Sequence, residues 1–201
     1  LRYGTGSPYL DVRLPCGGGI DLYVDVNVDR AALQSAIALG RARRSFSLVF
    51  DPASARSSLR VEDEQVDAQP GAFVRRFNPK LRIVLAGRGW EIVAMSQLAQ
   101  TADCELVVAS QESATLEFCR PYADQLIQLT VPRAVPDLPL DADTAVACLF
   151  HEHEWEAQLL LNALRSPAFY VGALGSRQTQ RRRVEVLEAL GATPEELARL
   201  K

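Results

Sequence analysis

Two different hydrophobic periods divide the chain. In residues 9–14 and 20–26 apolar and polar side chains alternate with period two, which predicts half-buried strands. The run Pro15-Cys16-Gly17-Gly18-Gly19 between them predicts a glycine loop with Cys16 at its entrance. Residues 31–43 carry Leu33, Ala36, Ile37 and Gly40 along one helical face, and residues 45–50 read as a further strand. Residues 51–71 are polar and weakly periodic, and read as a loop or irregular hairpin. Residues 73–79 lead out of this first region.

From residue 82 the pattern changes. Short apolar runs at 82–86, 105–109, 125–129, 144–150 and 168–171 alternate with helical stretches at 90–100, 113–120, 154–165 and 178–190. In the third helical stretch Leu159, Leu160, Ala163 and Leu164 face inward; in the fourth, Val184, Leu187 and Leu190 do. Strands alternating with helices predict a parallel sheet covered on both faces. Right-handed crossovers then gather the strand-to-helix turns at the carboxyl edge of the sheet, where such sheets bind ligands. The expected fold class is α/β: a doubly wound parallel sheet over residues 79–201, preceded by a smaller, strand-rich α+β domain over residues 1–78. The boundary is set near Asn78-Pro79, because proline disfavours helix in the residue before it.

Composition narrows the function classes. A chain of 201 residues with 48% hydrophobic and 23% charged content is ordinary for a globular protein. A net charge of −3 supplies no basic field for nucleic acid or an anionic membrane. The densest basic run, Arg181-Arg182-Arg183, reads as a solvated helix face. No apolar stretch reaches membrane-spanning length and no segment reads as a signal peptide. The four cysteines form no CxxC pair, which argues against a structural zinc site or a disulfide framework and fits a reducing cytoplasm. The first residue is Leu, not Met, so a leading segment of a longer polypeptide is expected.

The stretch Tyr170-Val171-Gly172-Ala173-Leu174-Gly175-Ser176-Arg177 carries the strongest chemical signal. A buried strand precedes it and a helix follows. Glycines permit a tight turn and a close ligand, Ser176 is a good N-cap, and free N–H groups at a helix start favour an anion such as phosphate. Arg177 adds a forked cation. The same residues also suit an ordinary capped helix after a tight loop.

Gly87-Arg88-Gly89 follows the first strand of the second domain and resembles a damaged dinucleotide fingerprint. Ile92 occupies the third glycine position, and Ala109-Ser110-Gln111 stands where a ribose-gripping acid belongs. Arg88 can still meet a phosphate, and Glu91 a hydroxyl or amine. His151-Glu152-His153-Glu154 ends the fourth strand. With no third histidine it reads as a metal site only if carboxylates join, and otherwise as a polar turn with one substrate-facing histidine. Cys16 is either a reactive thiol or a small buried hydrophobe. No residue is assigned as catalytic and none as a metal ligand.

These motifs together resemble the XdhC/CoxI family of xanthine dehydrogenase accessory proteins. Residues 164–179 are similar to that family's carboxyl-terminal signature, close to "YVGALGSRRT", with Gln178 in place of a usual Arg. Leu14-Pro15-Cys16-Gly17-Gly18 resembles its "L-x-CGG" segment, and Phe150-His151-Glu152-His153 its "THDH", with Glu152 for Asp. The family's earlier "GGCVE"-like segment is absent. The resemblance implies a carboxyl-terminal Rossmann-like domain and a protein that binds molybdenum cofactor (molybdopterin), assists its sulfuration and inserts it into a xanthine dehydrogenase-like molybdenum hydroxylase. It implies a cofactor site drawn from Cys16, Gly17, Gly18, Gly87, Arg88, Gly89, Glu91, His151, Gly172, Ala173, Leu174, Gly175, Ser176 and Arg177. A cysteine desulfurase is a further implied partner, and a cytoplasmic homodimer the implied state, with neither nucleic acid nor membrane involved. The alternative is an NAD(P)-dependent oxidoreductase on the same fold.

Overall fold

The computed structural model describes residues 1–9, 14–22, 24, 28–52, 54, 56–61, 71–132, 134, 137–150 and 153–201. The chain divides into two compact units, Leu1–Pro79 and Lys80–Lys201.

The first unit is strand-rich. Strand β1 (Arg2–Gly4) pairs antiparallel with β2 (Gly19–Asp21), Tyr3 opposite Ile20. Arg2–Gly4 pairs with the segment at Ile20, and of the strand expected at 9–14 residues 10–13 lie outside the described residues. The second strand is also shorter than its alternation implied. Gly4 sits at φ 86°, where a side chain would strike the Gly18 carbonyl, so the two glycine turns close on each other.

Helix α1 (Arg30–Arg41) starts at the N-cap Asp29, whose carboxylate accepts from the Ala31 N–H. Ala36 is its buried residue, with Ala32 and Leu39 half-buried beside it, while Leu33 and Ile37 are exposed, against the face expected. Strands β3 (Phe46–Asp51), β4 (Arg56–Val61) and β5 (Phe73–Phe77) form an antiparallel sheet in the order β4-β3-β5. The region expected as a loop or irregular hairpin thus contains a regular strand, and the lead-out segment is another. Cross-strand stacking of Phe46 on Phe77, centroids 4.9 Å apart, supports the β3–β5 register.

The second unit is a five-stranded, all-parallel sheet. Strands β6 (Arg82–Gly87), β7 (Glu105–Ser110), β8 (Gln125–Gln128), β9 (Thr144–Leu149) and β10 (Tyr170–Ala173) take the order β10-β9-β6-β7-β8. Helices α2 (Trp90–Gln100) and α3 (Ser113–Cys119) connect the strands on one side; α4 (His153–Arg165), α5 (Arg177–Ala189) and the short α6 (Pro194–Ala198) follow β9 and β10. Alternate residues of β6, β7, β8 and β9 feed two separate cores. Leu85, Leu106 and Val108 pack with Ile92, Val93 and Leu116, while Val84, Ala86, Val107 and Val146 pack with Leu159, Leu160, Leu164 and Leu187. The doubly wound expectation holds.

Details shift at the ends of elements. β10 begins two residues later than the 168–171 pattern indicated and runs on through Gly172 and Ala173. Leu190, expected inward, is 38% exposed. Helix α6 was not expected, although its signal is plain in Thr193-Pro194-Glu195-Glu196: a capping box with proline at the first turn. After it, the Lys201 N–H donates to the Val171 carbonyl and the Lys201 carbonyl accepts from the Ala173 N–H, pairing this tail with β10.

The sheet's two sides diverge after β6 and β9, neighbours whose following helices pack on opposite faces. Gly87 ends β6 at φ 154°, opposite Leu149. A Cβ there would lie 2.6 Å from the Leu149 carbonyl oxygen and 3.2 Å from Ile92 Cδ1. Gly87→Ala is expected to lose about 2 kcal/mol or more of stability, read as a lower midpoint in chemical unfolding with the slope unchanged.

Candidate functional site

The carboxyl edge of the parallel sheet presents two strand-to-helix turns, and their geometry differs. At the first, Gly89 is the N-cap of α2 with φ 84° and no side-chain cap. Its N–H donates to Thr115 Oγ1 at 3.0 Å, and Thr115 in turn donates to Glu112. One amide an anion would need is therefore already engaged. Ile92 is fully buried in the space that a third glycine would have left open. At the end of β7, Gln111 Oε1 is buried with no hydrogen-bond partner among the described residues. A neutral amide thus stands where a ribose-gripping acid would be. Arg88 is half-buried and Glu91 exposed at this turn.

At the second turn, Ser176 caps α5: its Oγ accepts from the Thr179 N–H at 3.2 Å and lies 3.0 Å from Thr179 Oγ1. The Gln180 N–H reaches the Ser176 carbonyl at 2.9 Å, so the helical ladder starts there. The N–H groups of Arg177 and Gln178 fall in the first turn, where no helical acceptor exists. Ser176, Arg177 and Gln178 are all exposed. This helix end offers an anion two amides, the positive end of a helix dipole and an exposed guanidinium.

The glycines here act differently from expectation. Gly172 lies inside β10 rather than in the turn, and a Cβ on it would come 2.6 Å from the Tyr170 hydroxyl. Gly175 would meet Thr179 Cγ2 at 2.8 Å and Arg183 Nη2 at 3.3 Å. Both vacancies are filled by the protein's own side chains, so they do not open the backbone to a ligand. Ala173 is half-buried and ends the strand; Leu174 is 49% exposed, and its N–H is tied to the Cys148 carbonyl at 2.8 Å.

Arg183 overturns the reading of Arg181-Arg182-Arg183 as a wholly solvated face. Its side chain is 2% exposed and forms a bidentate pair with the equally buried Glu156 of α4, Nε to Oε1 and Nη2 to Oε2 both at 3.1 Å. Nη2 also donates to the Leu174 carbonyl at 2.8 Å and Nη1 to Gln180 Oε1 at 2.5 Å. The helical spacing of Arg183 and Leu187 on one stripe was the available signal. A hollow of about 340 Å³ is lined by Glu156, Ala157, Arg182, Arg183, Glu185 and Val186, none of them an expected cofactor contact.

In the first unit, Cys16 is exposed in the glycine loop. The loop is fixed to the β1 turn: the Thr5 N–H donates to the Gly18 carbonyl at 2.9 Å and Thr5 Oγ1 to the Gly17 carbonyl at 2.7 Å. Gly17 adopts φ 70° and Gly18 lies beside the Cys16 sulfur. The other thiols are held up by burial, Cys148 most strongly, with Cys119 and Cys104 following. His151 and Glu152 lie outside the described residues, and His153 opens α4. Among the described residues no group of three or more His, Cys, Asp or Glu side chains is placed to hold a metal ion. None of their helices is long and apolar enough to cross a membrane.

Residues 83–201 match the family described as the XdhC Rossmann domain, which covers more than half of the chain. The chain belongs to the XdhC Rossmann domain family. Over all 201 residues it is 28% identical to the molybdenum cofactor insertion chaperone PaoD of Escherichia coli (strain K12), of which it covers 57%. A crystal structure described as a xanthine dehydrogenase from Bacillus halodurans superposes with a TM-score of 0.60 at 18% identity, over 78% of this chain and 53% of that one. That likeness concerns the fold. The chain spans just over half the length of both.

The thiol arrangement gives a direct test. Under native conditions iodoacetamide is expected to modify Cys16 first and Cys104 more slowly, and the fully buried Cys119 and Cys148 only on unfolding, as read by peptide mass mapping.

Proposed function

We propose that this XdhC-family chain handles molybdenum cofactor: it binds the cofactor as cargo, assists its sulfuration and passes it to a xanthine dehydrogenase-like molybdenum hydroxylase. The observation that carries this reading is the exposed start of α5, where Ser176, Arg177 and the first-turn amides face solvent together. Molybdopterin ends in an anionic phosphate, and a helix start with an adjacent guanidinium is suited to hold one. The relative described as a molybdenum cofactor insertion chaperone, similar over the whole of this chain, supports the same cargo. The resemblance adds Cys16 as the thiol near the sulfur chemistry, a cysteine desulfurase as sulfur source, and a cytoplasmic homodimer as the working form. Gly17, Gly18, Gly87, Arg88, Gly89, Glu91 and His151 remain proposed contacts for the rest of the cofactor.

An NAD(P)-dependent oxidoreductase is the weaker reading. The engaged Gly89 amide, the buried Ile92 and the amide of Gln111 all weaken the first turn as a dinucleotide grip.

Full-length protein mixed with molybdenum cofactor is expected to retain molybdenum and pterin stoichiometrically through gel filtration. Arg177→Ala should weaken retention about tenfold, the loss of one charge-assisted contact. Cys16→Ala should lower delivery of active cofactor to the client enzyme. No retention by the parent at micromolar protein would overturn the reading, and a stoichiometric nicotinamide nucleotide in the same assay would replace it.

A further inference from the structure

The turn before α5 is held from beneath by a buried ion pair. Leu174 is gripped through both of its backbone polar groups. The Leu174 N–H donates to the Cys148 carbonyl of β9, and its carbonyl accepts from Arg183 Nη2 at 2.8 Å. The guanidinium is itself immobilised, since both oxygens of Glu156 accept from it and Nη1 is taken by Gln180. Nε, Nη1 and Nη2 are all engaged and the side chain is 2% exposed, so the Arg183 guanidinium serves the protein's own groups. Gly175 leaves the room this needs, because a Cβ there would crowd Nη2.

We propose that Arg183 and Glu156 are a positioning pair for the anion-binding turn, fixing the Leu174 carbonyl so that the amides of Ser176, Arg177 and Gln178 converge. This rests on the reading of that turn as the phosphate contact. The pair joins α4, α5 and the end of β10 through a single planar fork. A lysine amine can meet Glu156 but lacks the flat geometry to serve both carboxylate oxygens and the carbonyl together. Preorganised amides bind an anion without first having to order the loop, so the effect on binding exceeds the effect on folding.

The test uses the full chain, with inorganic pyrophosphate as the probe. Two variants are compared with the parent: Arg183→Lys, and the double change Glu156→Leu with Arg183→Met, which removes the pair without leaving a buried charge behind. Arg82→Lys is the structural control. Arg82 is similarly buried in a carboxylate network with Glu105 and Asp141, but at the opposite edge of the sheet. Three quantities are read: thermal midpoint, hydrogen exchange of the 174–179 amides without ligand, and the pyrophosphate-induced amide shifts of Ser176, Arg177 and Gln178. The double variant is expected to melt cooperatively while its turn amides exchange about tenfold faster and bind pyrophosphate about tenfold more weakly. Arg82→Lys is expected to lower the midpoint and leave turn exchange and binding unchanged.

A folded double variant with exchange and affinity within twofold of the parent would overturn the proposal. Should the double variant not fold, Arg183→Lys decides in the same way: unchanged turn exchange would overturn it. Faster exchange in a parent series that shows no pyrophosphate shifts would support the positioning pair and remove the phosphate reading, so the two failures are distinguishable.

Discussion

One buried ion pair holds the chemically suggestive end of this fold in place. Arg183 and Glu156 sit between α4 and α5, both sealed from solvent, and meet through two hydrogen bonds of equal length. Desolvating two charges offsets much of their attraction, so the pair is not a large net source of stability. Its importance lies in what happens when it is half-removed: a buried, uncompensated charge costs about 3–5 kcal/mol. The surrounding elements are thereby committed to one arrangement, and the third contact of the fork, to the Leu174 carbonyl, transmits that arrangement to the turn.

The sheet supplies the remainder of the frame. Strands β6 and β7 are largely buried on both faces and β9 is buried on one and half-buried on the other, and each feeds alternate residues to two cores. Its amino edge is tied by Arg82, which reaches Glu105, Asp141 and the Pro139 carbonyl. Its carboxyl edge is where the two turns diverge in capability. At the first, Thr115 occupies the amide of Gly89; at the second, Ser176 caps only the Thr179 amide. The same fold position therefore yields one closed and one open helix start, and the difference lies in side chains rather than in topology.

Much of the second unit was legible in the sequence because its strands are short apolar runs and its helices have clear inward stripes. All four inward residues expected in α4 are buried. The first unit was less legible for a physical reason. Its β3–β5 pairing joins segments more than twenty residues apart, and β4, Arg56–Val61, is a polar edge strand whose alternation is masked by serine and arginine. The role of the glycines was misread because a glycine vacancy can be filled from within: Tyr170 folds over Gly172, and Thr179 and Arg183 crowd Gly175. Arg183 itself was hidden in a run of three arginines. Its position in the α5 stripe with Leu187 separates it from its neighbours, but its partner on α4 lies 27 residues away and no local pattern names it.

The most direct measurement is a crystal structure of the full-length protein with molybdenum cofactor bound. The account predicts that the cofactor phosphate lies at the start of α5, within hydrogen-bond distance of the Arg177 and Gln178 amides and facing the Arg177 guanidinium, with Arg183 still paired to Glu156. A phosphate seated instead at Gly89, with the start of α5 unoccupied, would contradict it.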